Sequence, residues 1–449
     1  MMGLLLLEGG EAGSLFATGW FRPGAGIMAT SYTTSAGVGP RQDLNTNGGA
    51  YFWGNTSITT MEYSHELLRT AREVWIRIAI VRTGSNGQPI HVALDNSTGA
   101  NQVNLHQFAS ATLNVRRDTT TLGSSPPDGL PVDTAWRVYH IRAFIDNTLG
   151  EVEIFKDLDF VTPIVSVTGV DTQNGADDFI QFIRQFSIAS VYDDLVVTDA
   201  TVAFSTTAGT LTPGDTITGN NSGTTALVTS IVSGSGAGQG IAQVHFVRVN
   251  GTDAWNDPSI DPWATDTQLS NGATWTANVL APLSTFKDEN SGPEPDGLIF
   301  GLSPSTDVVG STQLVRVGVD TGTNAGQVNA VPGDDATALQ SGVQTSTPGE
   351  RDMYELEDTS VAGFGVGDIL SIHGVAVSAY WQRDGAGLNN GNIVVEDLSV
   401  EYDGGDFALP VSSGGDVRLL NSVPDGSEVG IPWTETKVNS LRVGIKFKG

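Results

Sequence analysis

The sequence predicts an all-β protein, built as an N-terminal sandwich, a small middle β module and a C-terminal β-sandwich. Three observations carry that expectation. Apolar and polar residues alternate at a spacing of two in several stretches, the period that sends every second strand side chain to one face. Turn chemistry recurs roughly every 8–12 residues, the interval typical of β-sandwiches. Glycine is abundant, 55 of 449 residues, against a usual share of ~7%, which suits many strands joined by tight turns.

The strongest single signal runs from Trp136 to Asp157. Tyr139, Ile141, Ala143 and Ile145 alternate, Asp146-Asn147-Thr148-Leu149-Gly150 is turn chemistry, and the alternation resumes with Val152 and Ile154 inward, Glu151 and Glu153 outward. That is the pattern of an antiparallel hairpin, and the rest of residues 1–199 reads as a sandwich folded around it. Leu4–Leu7 opens the unit. Gly19–Arg22 and Tyr51–Gly54 are short aromatic strands, and Met61–Arg72 reads equally as a short helix or a strand edge. Val74, Ile76, Ile78 and Ile80 form an inward stripe with Arg77 and Arg82 at its margins. Strands follow at Ile90–Leu94, Val103–Phe108 and Ala111–Arg116, then a Pro-rich loop at Ser124–Pro131; Phe179–Phe186 and Ile188–Thr198 close the unit.

Residues 200–282 read as a small β module. Gly209–Gly219, the turn Asn220-Asn221-Ser222-Gly223 and Ala226–Val232 form strand, turn and strand, and Gln243–Val249 returns to strand. Between them Gly234, Gly236, Gly238 and Gly240 alternate with small or polar residues, a pattern expected to be flexible. An acidic linker is expected at 283–297. In the C-terminal β-sandwich at 298–449, Val315, Val317 and Val319 alternate, Ile372–Trp381 is a long strand, and Asn392–Leu398 follows a glycine-rich loop. Trp433–Leu441 suits a short helix capped by Thr434, followed by a last strand at Arg442–Phe447. No internal repeat of fixed period is present.

Charge and composition exclude several functions. The formal net charge is -28, from 50 acidic against 22 basic residues, so the surface repels phosphate backbones and anionic membranes, and neither nucleic acid nor a membrane is an expected partner. There is no cysteine, so disulfides, thiolate metal sites and cysteine nucleophiles are excluded. The Leu4–Leu7 run has no basic region before it, is followed by Glu8, and is too short for a signal peptide or a bilayer span. A soluble protein made in a cytoplasm is the expectation.

Candidate chemistry is sparse. Glu151 and Glu153 lie two apart on one strand, roughly 6.6 Å at ~3.3 Å per residue, a separation that suits a glycosidase pair or simply the solvated face of an amphipathic strand. The six histidines are scattered; His91 and His106 could meet across strands, as satisfied sheet residues or as metal ligands. Asp257, Asp261 and Asp266, or Asp193 and Asp194, offer oxygen ligands for calcium or caps for turns, and none follows a calcium-loop consensus. No other cofactor is expected. Trp20, Trp53, Trp255 and Trp263 stand in or near Gly, Asn, Asp and Pro, so they are candidate stacking platforms for a glycan or an interface, with burial in a sandwich as the alternative.

Several stretches carry a family resemblance. Ser190-Val191-Tyr192-Asp193-Asp194-Leu195-Val196-Val197-Thr198-Asp199, together with the Trp136–Asp157 hairpin, resembles the last strand of concanavalin A-like (laminin-G-type) jelly-roll domains, which are common in tailed-bacteriophage virion proteins. Thr345–Asp358, Val375–Asp384 and Ile431–Ile445 are similar to a recurrent module of phage tail and fibre-associated proteins, and the Gly214–Gly219 and Ser222–Val228 hairpin is similar to small β modules of such proteins. The resemblance implies a non-enzymatic virion structural protein of tail or fibre, acting by assembly and host-surface contact, with a capsid decoration or head-fibre protein, or a glycan-binding receptor module, as alternatives. It implies a homo-oligomer, a trimer if the protein is a fibre, with other virion proteins and a host-surface glycan as partners. Lectin relatives of the sandwich often hold calcium and sugar at loop ends, but no such ligand set maps onto these residues.

Overall fold

The computed structural model describes residues 4–8, 53–55, 61–82, 84, 90–107, 111–133, 135–157, 162–187, 190–246, 262–263 and 265–284, and further on 302, 304–317, 324, 342–359, 372, 375–381, 390–397, 400–403, 407–408, 414–420 and 433–448. They form mainly strands, with a short helix near the C-terminal end. The first thirteen strands are β1 (Leu4–Glu8), β2 (Trp53–Asn55), β3 (Met61–Ala71), β4 (Glu73–Arg82), β5 (Ile90–Asp95), β6 (Asn101–Gln107), β7 (Leu113–Arg117), β8 (Thr120–Ser124), β9 (Arg137–Phe144), β10 (Gly150–Lys156), β11 (Val165–Val170), β12 (Ile180–Ser187) and β13 (Ser190–Thr198). They make two antiparallel sheets. One runs β1-β13-β4-β9-β10-β11 with β2 also paired to β13, and the other runs β3-β12-β5-β6-β7-β8.

Between these sheets lies one continuous core, with Val74, Ile76, Ile78 and Ile80 of β4 facing Val92, Leu94, Val103 and Leu105 of the second sheet. The inward stripe of β4 and the β9–β10 hairpin match the sequence reading. Glu151 stands opposite Phe144 and Ile154 opposite Ile141. Asp146 turns the hairpin by accepting from the backbone N–H groups of Thr148 and Leu149, both at 2.7 Å. Of the two readings of Met61–Arg72, the strand edge holds: Met61–Ala71 is the edge strand of its sheet, paired with β12 from Ile180↔Ala71 to Ser187↔Met61. One reading is corrected: Arg77 and Arg82 are buried, not marginal.

Six further strands, β14 (Thr201–Ala208), β15 (Thr216–Gly219), β16 (Thr225–Ser233), β17 (Gln239–Phe246), β18 (Gln268–Ser270) and β19 (Thr276–Ser284), close into a barrel in the order β14-β17-β16-β15-β18-β19. The barrel is filled by packed aromatic pairs, Phe204 edge-on to Trp275 at 5.6 Å and Phe246 edge-on to Trp263 at 4.8 Å. The glycine run forms a turn with a defined backbone conformation. Gly234, Gly236 and Gly238 take φ of 75°, 76° and 78°, the left-handed region that only glycine enters without cost, and the Leu211 N–H donates to the Gly236 carbonyl at 2.9 Å.

The remaining strands are β20 (Pro304–Thr312), β21 (Val315–Val317), β22 (Gly342–Gln344), β23 (Arg351–Leu356), β24 (Val375–Trp381), β25 (Asn390–Asp397), β26 (Val400–Asp403), β27 (Phe407–Ala408), β28 (Gly414–Leu420) and β29 (Arg442–Lys448), with helix α1 (Glu435–Asn439) before the last. A six-stranded sheet, β20-β23-β29-β25-β26 with β27 on β25, is accompanied by the ribbons β21-β22 and β24-β28. Val375 and Val377 of the second ribbon pack against Val395 and Val443 of the sheet, giving this unit a second layer. Helix α1 starts as expected, with the Lys437 N–H donating to the Thr434 hydroxyl at 3.2 Å. No helix among the described residues is long and apolar enough to cross a membrane. The expected linker lies outside the described residues beyond Ser284.

Candidate functional site

The first sheet has two faces, and alternation sends Glu73, Trp75, Arg142, Glu151 and Glu153 away from the sandwich core. In register, Glu73, Phe144 and Glu151 form one row across β4, β9 and β10, and Trp75, Arg142 and Glu153 form the next. This outer face is covered. Glu151 and Glu153 are only 7% and 4% exposed, so the solvated-face reading of this pair is corrected. The Arg142 guanidinium lies among three carboxylates. Its Nε donates to Glu73 Oε1 at 2.8 Å, and its Nη1 reaches Glu151 Oε2 at 2.8 Å and Glu153 Oε2 at 3.4 Å.

His245 of β17 in the barrel completes the group. Its Nδ1 lies 2.5 Å from Glu73 Oε2 and 3.1 Å from Arg142 Nη2. One ring nitrogen cannot both donate to a carboxylate and accept from a guanidinium, and the shorter contact assigns the Nδ1 proton to the Glu73 bond. The Trp75 indole N–H donates to Glu73 Oε1 at 2.8 Å, and the Trp75 ring packs into the barrel core beside Phe204 and Trp275. Burial alone would raise the Glu73 pKa, but Arg142 and His245 outweigh it and hold the carboxyl at about 2. Burial likewise opposes the charged form of Arg142, and Glu73, Glu151 and Glu153 reverse this and raise its pKa.

A second clamp sits at the covalent link. Only Asp199 and Ala200 separate β13 from β14, and both are buried. Arg69 binds the Asp199 carboxylate through two nitrogens, at 2.7 and 3.0 Å, and Gln243 of the barrel donates both to Asp199 and to the Thr70 carbonyl. Burial pushes Asp199 above the usual carboxylate range, against the pull of Arg69. Sandwich and barrel are thus joined by two polar clusters and the buried Trp75. Chemically, the Glu151–Glu153 pair is committed to Arg142.

The outer face of the second sheet has a different character. Asn104 and His106 on β6 and Asn114 and Arg116 on β7 point away from the core, with Asn104 opposite Arg116 and His106 opposite Asn114. A hydrogen-bond chain crosses the face. Arg184 pairs with Asp95 at 2.8 Å, Asn101 donates to Asp95 at 3.0 Å, and Asn104 donates to Asn101 at 2.6 Å. Asn104 is 3% exposed, and its Oδ1 has no donor; the Nε of its cross-strand partner Arg116 has no acceptor. Sequence reasoning missed this face, although the alternation of Asn104 with Val103 and Leu105 carried the signal.

The singled-out aromatic and metal candidates fare differently. Trp263 is 3% exposed in the barrel core, its indole N–H donating to the Thr224 carbonyl at 3.1 Å, so it is not a loop platform. Trp53 lies in β2, opposite Tyr192, and Trp20 and Trp255 lie outside the described residues. Asp266 caps a turn, accepting from the Asn221 and Ser222 backbone N–H groups at 2.6 and 3.0 Å. Asp193 and Asp194 lie within β13, not in a loop, and Asp257 and Asp261 lie outside the described residues. His91 is a satisfied sheet histidine, bonded to Gln107 at 2.8 Å and Tyr192 at 3.2 Å. No group of three or more metal-ligating side chains occurs among the described residues.

These sheets define the class: an all-β protein of sandwich architecture with a closed barrel inserted behind the first sandwich. No family model and no curated protein matches the chain. Similar solved structures include a Trypanosoma rangeli sialidase in complex with sialic acid, 12% identical over 34% of this chain and 25% of the sialidase, TM-score 0.24. Lectin I-B4 from Griffonia simplicifolia is 8% identical over 35% of this chain and 90% of the lectin, TM-score 0.25. A Bacillus subtilis protein of unknown function with a galectin-like fold is 18% identical over 33% of this chain and 86% of its own, TM-score 0.22. The chain spans about a quarter of the sialidase's length, and likenesses this low carry no argument about function.

Proposed function

We propose that this chain is a structural component of a bacteriophage virion, a tail-fibre or tail-associated protein that works by assembly and host-surface contact rather than catalysis. The sequence resemblance to phage modules supports this, and one structural observation carries it further. The ionic residues of the first sheet's outer face, which an enzyme of this architecture would leave open to substrate, are consumed in fixing the barrel to the sandwich through Arg142, Glu73 and His245. A stiff joint between modules is what a load-transmitting assembly needs. In such an assembly homo-oligomerisation covers exposed sheet edges such as β8, and a symmetric trimer is the form expected of a fibre.

The test is immunogold or cryo-electron microscopy of purified particles, beside the mass of the recombinant chain in solution. Density at projecting fibres or the tail tip, with an oligomeric mass, supports the proposal. Density tiled over the capsid moves the protein to a decoration layer. A monomer absent from particles overturns the virion reading.

The second reading, recognition of a host-surface glycan, is favoured by the polar face of the second sheet. Vicinal sugar hydroxyls donate and accept at once, so they complement the unpaired Asn104 Oδ1 and Arg116 Nε on neighbouring strands. Replacing both residues with alanine should abolish retention on a glycan array while particles still assemble. Unchanged retention in the double variant removes this face from the glycan reading.

A further inference from the structure

Arg82, the last residue of β4, has no exposed surface. Its position continues the stripe Val74, Ile76, Ile78 and Ile80, so the side chain enters the space between the two sheets, at one end of the core. Its Nε donates to the Gly84 carbonyl at 2.7 Å. Nη1 and Nη2 are buried with no hydrogen-bond partner, and no ion pair joins Arg82 to a carboxylate among the described residues. This is a full positive charge, since a guanidinium does not deprotonate in proteins.

The surrounding groups do not neutralise it. Gln107 donates through Nε2 to the Leu130 carbonyl at 2.7 Å, so its Oε1 is the acceptor facing His91 Nε2 at 2.8 Å. That bond places the His91 proton on Nε2 and leaves Nδ1 to accept from the Tyr192 hydroxyl at 3.2 Å. His91 is therefore neutral, in keeping with the burial that lowers its pKa to about 3. The acceptors of Gln107 and His91 are thus already engaged, and no carboxylate among the described residues pairs with Arg82. A buried, unpaired charge is among the most expensive features a core can hold, and in known proteins it is matched by a counter-ion.

We infer that Arg82 anchors a carboxylate-binding site at this end of the sandwich, its buried, unpaired Nη1 and Nη2 taking both oxygens of a planar carboxylate. The fork geometry selects a carboxylate, and the shielding of the site strengthens the charge-assisted pair. The carboxylate is a small free acid or the uronate group of an acidic sugar; both present the same planar anion. The inference does not depend on the virion reading.

The experiment is calorimetric titration and thermal unfolding of the full chain with acetate, glucuronate, sulfate and chloride at matched ionic strength. Acetate or glucuronate should raise Tm in a concentration-dependent way that chloride does not, and the shift should vanish in Arg82→Met. A larger shift with glucuronate than with acetate assigns the site to an acidic sugar, and an acetate shift equal to or larger than it assigns a free acid. Arg82→Lys, which keeps the charge but loses the fork, should weaken binding by roughly tenfold or more, and it serves as the readout if Arg82→Met does not fold. A Tm rise as large with sulfate as with the carboxylates overturns the planar-anion assignment. No carboxylate-specific shift, or one unchanged in both variants, overturns the site.

Discussion

His245 of the barrel stacks face to face on Phe144 of the sandwich, with ring centroids 3.6 Å apart and planes 3° from parallel. The contact brings two strands 101 positions apart in the chain into one joint, and it places the His245 ring nitrogen against Glu73. The joint's energetics follow from the Arg142 guanidinium, which contacts three buried carboxylates.

Arg142→Met should therefore be severe. It removes the buried guanidinium that pairs with Glu73, Glu151 and Glu153, and breaking a buried ion pair costs about 3–5 kcal/mol. The loss should appear as a lower urea midpoint at pH 7. Glu153→Gln, which removes the longest of the three contacts at 3.4 Å, should cost less than Glu73→Gln in the same assay.

Acid should weaken the intact protein through Glu73. Its folded pKa of about 2 lies below the ordinary 4.5, so its contribution is fully present above pH ~4.5 and is lost as pH falls towards about 2. That contribution is on the order of 3 kcal/mol at neutral pH. Asp199 runs the other way, since its pKa is raised on folding, and it offsets part of the loss. Urea midpoints measured between pH 5 and pH 2 should fall in the wild type and flatten in Glu73→Gln. An equal slope in both would remove Glu73 as the cause.

Trp263→Ala should destabilise the barrel without touching recognition. The side chain is buried against Phe246, and truncating a core Trp costs about 3–5 kcal/mol. The expected outcome is a lower unfolding midpoint and, in the folded fraction, unchanged glycan retention.

Gly209→Ala should cost more than about 1 kcal/mol. Gly209 has φ of 76°, and a Cβ there would collide with the Thr274 carbonyl. Gly214→Ala is the control for backbone strain alone, because φ is 95° but nothing lies within 4 Å of an added Cβ. The difference between the two midpoints measures the clash.

The strands were legible in the sequence wherever the signal is local. The stripe Val74 to Ile80, the hairpin turned by Asp146, and the Thr434 cap of α1 each depend on neighbours a few residues away, and each stands in the structure as read. Met61–Ala71 was not decided by its sequence, because its pairing with β12 selects the strand from outside the segment. The fate of the polar face was equally hidden. Glu-Val-Glu-Ile reads as a half-solvated strand, and nothing in those residues announces a barrel packed over them or a histidine 103 positions beyond Arg142. Trp263, placed among polar and turn residues, turned inward because the barrel closes around it.

Alternation and turn chemistry by themselves determined that the chain is all-β and where most strands lie, because both act within a few residues. Only the tertiary structure decided that the polar outer face of the first sheet is sealed, and so that its charges are structural. That outcome depends on modules far apart in sequence packing together, where burial makes an ionised group costly unless a specific counter-charge meets it.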